Sequence, residues 1–519
     1  MWLEIVLLFV LVLVYAVLRD RRPRNCPPEI FVISSSCIPQ PRRYRTGTVR
    51  SVFLFDSDTA KEALARLEFA DRPDFFNSFS LDDQKLGGVV SSNGVHWQHD
   101  RRFVLRNLRN LGMGKNHLEE AINIEAKALV EDLKKYGGEA INYPDSFRTV
   151  ALNIIWQMVL DRYDLRSKEV EAIYRMTNEF REKFSVLSLL PVFIPALDHL
   201  PKSIKNFLFN DDIFDRFVEE MKNVVNVTVD KHLEDYDPDN PRDLIDEYIK
   251  DMKESEGDDN SLFRRGALNQ IVNDLFGAGS DTVSIMLKWV AYLLARYPEY
   301  ATKMQQQIDA VVPRDRMVSL DDKPSLPLVE AFTVEALRYA SMFVYNIQRS
   351  THRDATINGY FIPKGTMIQV GNYSIHRNPR YWDDPHKFYP ERFLDDSATK
   401  YTAPNIGFFA FGSGRRPCAG ELLARMELFL FTAAIIQHFD VIPPKGVVLS
   451  QKDIVNLGGR RQCAGELLAR MELFLFTAAI IQNFDVIPPK GAVFSQKDIL
   501  NLGGLRMPAD NKLIYKPRN

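Results

Sequence analysis

Cysteine is scarce. The 519 residues contain four, Cys26, Cys37, Cys418 and Cys463, too few and too scattered for a disulfide framework. That usage fits a reducing, cytosol-facing compartment. An excess of one charge is lacking as well: the formal net charge is −2, which gives no global sign of nucleic-acid binding and leaves any charge-based partner to local patches. No dinucleotide-binding glycine fingerprint follows a predicted strand, so a nicotinamide dinucleotide has no site of its own on this chain.

What is present starts with size, since 45% hydrophobic content over this length can bury a large core. The N-terminus carries an apolar run from Ile5 to Leu18. About 18 helical residues span roughly 27 Å, close to the hydrocarbon thickness of a bilayer. Arg19, Arg21, Arg22 and Arg24 follow and hold the next segment on the cytosolic side. Only Glu4 is charged before the run and no small-x-small site follows it, which favours an anchor over a cleaved signal. Pro23, Pro27 and Pro28 then make a stiff exit.

Residues 29–45 read as irregular, 51–55 as a strand, 58–67 as a helix and 118–232 as successive amphipathic helices with an apolar, proline-containing break at 184–200. Residues 250–260 read as a polar surface loop. Trp97 and Arg101 lie four apart on one helix face; alone, the pair is equally a half-buried Trp beside a surface Arg. Arg102, Arg106 and Arg109, with Lys115 beyond, form a positive stripe that is either solvated or suited to an acidic partner.

The longest periodic segment, 262–297, carries Gly277-Ala-Gly-Ser-Asp-Thr282 at its centre. Two interior glycines cost on the order of 1 kcal/mol each relative to alanine. Gly279 would let a ligand approach the backbone, the threonine hydroxyl can bond back into the helix, and Asp281 with Thr282 can organise proton delivery. Close helix packing is the alternative. Glu335 and Arg338 stand at i, i+3, a spacing common in surface ion pairs.

Phe411-Gly-Ser-Gly-Arg-Arg-Pro-Cys-Ala-Gly420 presents one cysteine on a glycine-shaped loop before a long apolar helix. Gly412, Gly414 and Gly420 permit tight turns, Phe411 can shield the sulfur, and a helix N-terminus helps keep it ionised. A buried small hydrophobe or a phosphate turn is the competing reading. If the sulfur binds haem iron, a thiolate ligand favours O–O cleavage.

The pattern Phe-x-x-Gly-x-Arg-x-Cys-x-Gly resembles the cytochrome P450 signature at every fixed position. The Thr282 helix resembles that family's Ala-Gly-x-Asp-Thr motif, and Glu335/Arg338, Pro390-Glu-Arg-Phe393 and Trp97/Arg101 match its other motifs in order. Phe69-Ala-Asp-Arg-Pro73 and the proline exit resemble the microsomal animal branch often called clan 2. The resemblance implies a mainly α fold with a smaller β-sheet region and an N-terminal transmembrane anchor: residues 1–18 the anchor, 19–44 a basic, proline-rich linker, 45–519 the catalytic domain. It implies haem b with Cys418 as the axial iron ligand, and Trp97, Arg101, Arg349, Phe411, Arg416 and Gly420 around the cofactor. Asp281 and Thr282 would steer protons, and Glu335, Arg338 and Arg392 would brace the haem loop. The implied reaction is monooxygenation of a lipophilic small molecule at the endoplasmic reticulum membrane. Electrons would come from NADPH–cytochrome P450 reductase, with cytochrome b5 as a second donor. Phe276, Ala278, Val344 and the loop before Trp97 are candidate pocket positions.

The chain departs from the family's pattern in two ways. Between the proline exit and the first strand the family usually has a further helix and strand, and the roughly 30 residues that would carry them are expected to be missing from this chain. Residues 415–459 also recur almost unchanged as 460–504, differing at five positions: Pro417/Gln462, His438/Asn483, Val447/Ala492, Leu449/Phe494 and Val455/Leu500. Two copies are too few for a solenoid. Cys463 lacks the Phe408-Phe-Ala-Phe411 run, and Asn456 stands where Phe411 stands before Cys418, so Cys418 is the expected ligand. Where the chain leaves copy one and resumes is open, and the spare apolar helix at 465–482 is expected to lower solubility. An inactive chain and an electron-independent isomerase are the alternative functions.

Overall fold

The computed structural model describes residues 42–46, 49–110, 116–160, 175, 179, 197, 199–210, 212–404, 406–447, 449, 454–457, 505–508 and 512–518. The expected anchor at 1–18, most of the break at 184–200, Lys115, Cys463 and the helix at 465–482 lie outside them. Among the described residues no helix is long and apolar enough to cross a membrane.

The first strand, β1 (Arg42–Thr46), pairs antiparallel with β2 (Val49–Leu54), Arg42 opposite Phe53. Residues 29–45 are therefore not wholly irregular, and a strand is present where one was expected to be missing. Three arginines and two flanking prolines hid it, because an edge strand tolerates both. Helix α1 (Ser57–Ala65) follows, with Asp56 as its N-cap accepting from the Thr59 N–H.

Next come α2 (Gly94–Asn110), α3 (Asn116–Lys135), the short β3 (Ala140–Ile141) and α4 (Ser146–Leu160). A surface helix α5 (Lys202–Phe209), α6 (Asp212–Glu234) and α7 (Leu244–Glu254) follow. The polar stretch at 250–260 begins inside α7, whose last residues 250–254 continue a helix that buries Tyr248 and Ile249, and runs on as the expected polar loop at 255–260.

The central element is α8 (Arg265–Arg296), 32 residues long and buried along most of its length. It runs antiparallel to α4: Trp156 stacks on Phe276 with ring centroids 4.6 Å apart, and Lys288 lies over the Tyr143 ring near the other end. Then come α9 (Pro298–Val311) and α10 (Pro327–Ala340), each started by a proline in its first turn. Strands β4 (Arg349–Ser350), β5 (Ala355–Ile357), β6 (Tyr360–Ile362) and β7 (Met367–Val370) lead to the short α11 (Asn372–Ile375). The main sheet has the order β1-β2-β7-β4, with β2 and β7 parallel, Ser51 opposite Met367. Fold class is thus mainly helical with small sheets.

The repeat is used from its first copy. Helix α12 (Glu421–His438), β8 (Phe439–Ile442) and β9 (Ile454–Leu457) all come from residues 415–459. The chain then returns beyond the second copy as β10 (Leu505–Pro508), antiparallel to β9 with Leu505 opposite Leu457, and ends in β11 (Leu513–Pro517) between β3 and β8. The closing strand therefore reaches its sheet. Buried Arg506 fixes β10: its backbone N–H donates to the Met342 carbonyl, its Nη1 donates to the carbonyls of Tyr339 and Ala340, and its carbonyl accepts from Trp289 Nε1.

Candidate active site

Gly412 and Gly414 take φ of +72° and +73°, the left-handed region open to glycine. A Cβ on Gly414 would overlap the Leu64 carbonyl at the end of α1. There the Arg415 N–H donates to the Leu64 oxygen and Arg415 Nε donates to the Ala65 oxygen, each at 2.9 Å, so the loop satisfies free carbonyls of α1. The Cys418 N–H donates to the Phe411 carbonyl at 2.9 Å, closing the turn. Gly420 is the N-cap of α12. Half-buried Phe411 is covered by Arg425, whose guanidinium lies 5.0 Å from its ring.

Cys418 is exposed locally yet desolvated by the surrounding protein, as expected at the floor of a recess. Burial pushes its thiol up; the Gly420 N–H and Arg101 act the other way, and Glu421 adds to the rise. The helix N-terminus alone therefore does not keep this sulfur ionised, because burial, with Glu421 adding to it, outweighs the Gly420 N–H and Arg101. A bound metal cation would supply the missing charge, since a coordinating thiol is deprotonated outright.

Four arginines surround the loop. Arg101 on α2 donates from Nη2 to the Pro417 carbonyl at 2.7 Å. Arg349 on β4 donates from Nη2 to the Ser413 carbonyl at 3.1 Å. Arg416 donates to the carbonyls of Ala70 and Ser92 and packs 4.0 Å from the Trp97 ring. With further contacts to the Val89 and Val90 carbonyls and to Asn93 Oδ1, it holds the loop against residues 70–93. Arg72, which the sequence reading quoted only within a motif, bridges the Val90 carbonyl to those of Ile347 and Gln348.

Burial and mutual repulsion push all four arginines below their ordinary range, although for Arg101 burial acts alone among the groups of this cluster. Among the described residues none makes an ion pair with a carboxylate. Arginine does not shed its proton, so such a cluster suits an anion. One of its members and the neighbouring Trp97 point to where the anion sits. Trp97 Nε1 and Arg349 Nε and Nη1 are buried donors without hydrogen-bond partners. That donor set fits the two propionates of haem beside a cysteine sulfur.

On α8, Gly277 and Ala278 are exposed although most of the helix is buried, and Asp281 and Thr282 share their face at i, i+4. Thr282 Oγ1 donates to the Ala278 carbonyl at 2.8 Å, the back-bond expected, within a helix that stays α-helical throughout. Asp281 Oδ1 lies 3.0 Å from Arg148 Nε on α4. The two glycines divide differently from the sequence reading. A Cβ at Gly279 would strike Ile155 of α4, so its reason is close helix packing, whereas Gly277 has nothing within 4 Å and keeps the open face clear. Phe276 and Val344 are core residues, 3% and 4% exposed, and do not line a pocket; Ala278 does face open space. The loop before Trp97 is pinned to buried carboxylates: Asp274 accepts from the N–H groups of Val89 and Val90, and Asp100 from Gly88.

Glu335 and Arg338 are fully buried and joined bidentately at 2.6 and 2.7 Å. Arg392 Nε and the Tyr389 N–H also donate to Glu335. Arg338 donates to the carbonyls of His376, Pro385 and Lys387, and Arg392 to Asp383. The link to the haem loop is His376, which sequence reasoning missed. Its Nε2 accepts from the Phe409 N–H at 2.8 Å and its Nδ1 meets Ser341 Oγ at 2.9 Å. Burial, then Arg338 and Arg377, push His376 well down, so it is neutral and can accept. A His at the start of the His-x-x-Pro run was the only signal.

The comparisons with known proteins agree with this geometry. The sequence model described as cytochrome P450 matches residues 40–456 and 458–515. Cytochrome P450 2L1 of Panulirus argus is 39% identical over 414 residues, 79% of this chain and 84% of the relative. Cytochrome P450 2J3 of Rattus norvegicus is 31% identical over 458 residues, 83% of this chain and 89% of the relative. Cytochrome P450 2J2 of Homo sapiens is 32% identical over 411 residues, 78% of this chain and 80% of the relative. With matches of this extent joined to the ordered motifs and the arginine-lined cysteine loop, the chain belongs to the cytochrome P450 family, and is a haem-dependent monooxygenase of its family-2-like branch.

Proposed function

We propose that this chain inserts one oxygen atom from O2 into a lipophilic small molecule, by hydroxylation or epoxidation, with Cys418 as the axial ligand of haem b. The observation that carries the assignment is the set of unpartnered buried donors, Trp97 Nε1 and Arg349 Nε and Nη1, within the arginine cluster around the Cys418 loop. Trp97 and Arg349 would hold the propionates, and Arg101 would tie α2 to the ligand loop through the Pro417 carbonyl. When bound, haem supplies the oxygen-activating chemistry. The chain's own part is to hold the sulfur, fix the propionates and move protons along the Asp281–Thr282 face. The intact Asp281–Thr282 pair supports an oxygenase over an electron-independent isomerase, and the complete first-copy loop supports an active chain over an inert one.

Electrons would come from NADPH–cytochrome P450 reductase, with cytochrome b5 as an auxiliary donor. Arg102, Arg106 and Arg109 are exposed on α2 and suit an acidic partner, although Arg106 is shared with Asp251 at 2.5 Å. Association with the endoplasmic reticulum membrane through residues 1–18 is supported further by α5, where Phe207 is 88% exposed beside exposed Ile204 and Leu208. Reconstitution with reductase in lipid vesicles tests the reading. NADPH consumption should require the reductase, weaken with salt and yield an oxygenated product of an apolar substrate. Turnover of an apolar substrate without NADPH would favour the isomerase and overturn it.

A further inference from the structure

Arg148 was not singled out by any motif. It opens α4, is only 12% exposed, and sets its Nε 3.0 Å from Asp281 Oδ1 on the open face of α8. The two helices come this close because Gly279 has no side chain: Ile155 of α4 occupies the space a Cβ would need. Trp156 on Phe276 fixes the same pair of helices from the next turn. Asp281, 31% exposed at its side chain, thus has a fixed cationic neighbour on one side and the backbone-bonded Thr282 beside it in sequence.

We propose that Arg148 is the positioning residue for Asp281, holding the carboxylate in one orientation on the open face of α8 so that protons pass inward in step with electron supply. The inference rests on the proposed role of Asp281 in proton delivery. Each product formed uses two electrons and two protons; Asp281 takes up each proton it relays from water and passes it inward, so it ends the cycle unchanged. Electrons come from the reductase and are spent on O2. Without Arg148 the carboxylate turns freely, delivery loses its timing, and the same electrons reduce O2 to hydrogen peroxide instead of forming product. A bidentate-capable guanidinium fixes a carboxylate better than an ammonium point charge, so lysine should restore the function only in part.

The test uses the holoenzyme with reductase and an apolar substrate, comparing wild type, Arg148→Met, Arg148→Lys, Asp281→Asn and the double variant Arg148→Met/Asp281→Asn. Product formed per NADPH should fall roughly tenfold in Arg148→Met, less than the roughly 10²–10⁴-fold of a lost proton donor because Asp281 itself remains. Hydrogen peroxide should rise correspondingly, and Arg148→Lys should recover part of the loss. The double variant should be no worse than Asp281→Asn alone. Two readouts are independent of turnover. The carbon monoxide difference spectrum should keep its thiolate band in every variant, and urea midpoints should show non-additive losses for the Arg148 and Asp281 changes. Unchanged product per NADPH in Arg148→Met, or additive effects in the double variant, overturns the proposal. If Asp281→Asn itself leaves coupling unchanged, the role of Asp281 fails first; if Asp281→Asn uncouples and Arg148→Met does not, only the role of Arg148 fails. Should Arg148→Met not fold, Arg148→Lys and the urea midpoints still decide, since full coupling with no stability coupling would contradict the pairing.

Discussion

Asp274 on α8 holds the loop before Trp97 by accepting the Val89 and Val90 N–H groups at 2.7 and 2.8 Å, with Gln270 Nε2 donating to its other oxygen. Burial pushes its carboxyl up to about 6 despite those three hydrogen bonds. The folded state therefore takes up a proton near pH 6 that the unfolded chain takes up only in the ordinary carboxylate range. Stability tied to this group rises as pH falls through about 6 and levels off below that range. Asp274→Asn keeps an acceptor for the loop and removes the charge. Urea midpoints from neutral pH to about 4 should show the variant equal to or above wild type at neutral pH, with wild type catching up on acidification. A wild type that loses ground to the variant on acidification would contradict the account. At this scale the sequence was legible where a motif is local. Glu335 and Arg338 are one helical turn apart, and Arg392 follows in a short fixed run. It was not legible where the partner is distant in the chain: His376 meets Phe409, Arg72 meets Ile347, and Arg148 meets Asp281. Nothing in residue type or spacing announces such pairs.

Among the elements, periodicity placed α8 and an apolar run placed α12, because each is buried along most of its length, and the reading failed at β1 and at the end of α7. In β1 the strand is an edge partner whose arginines and nearby prolines imitate a loop. In α7 the acidic outer face imitates one. The repeat tests the element scale most sharply. Leu457 of copy one pairs with Leu505, which directly follows copy two. Removing residues 460–504 would leave Gly458-Gly459 as a two-residue connection between β9 and β10 with the register kept, a turn composition that suits antiparallel hairpins. Shortening that connection lowers the closure entropy by about 2–3 kcal/mol on a flexible-loop scale. The deletion should raise the thermal midpoint and solubility while leaving the carbon monoxide spectrum unchanged. An unchanged or lower midpoint would count against the second copy as a misplaced insert.

For the whole molecule, the core gathers around α8, with α4, α10 and α12 against it and the small sheets at the periphery. The Cys418 loop sits where α1, α2 and β4 converge on the start of α12. Among the described residues, every contact that shapes this loop comes from the first copy of the repeat or from the chain before it. On this basis we propose that copy one builds the haem site, with Cys418 and not Cys463 as the iron ligand. The most direct measurement is the carbon monoxide difference spectrum of the reduced full-length protein for wild type, Cys418→Ser and Cys463→Ser, at equal haem loading. The account predicts the red-shifted thiolate band in wild type and Cys463→Ser and its loss in Cys418→Ser. A thiolate band that survives Cys418→Ser and disappears in Cys463→Ser would contradict it.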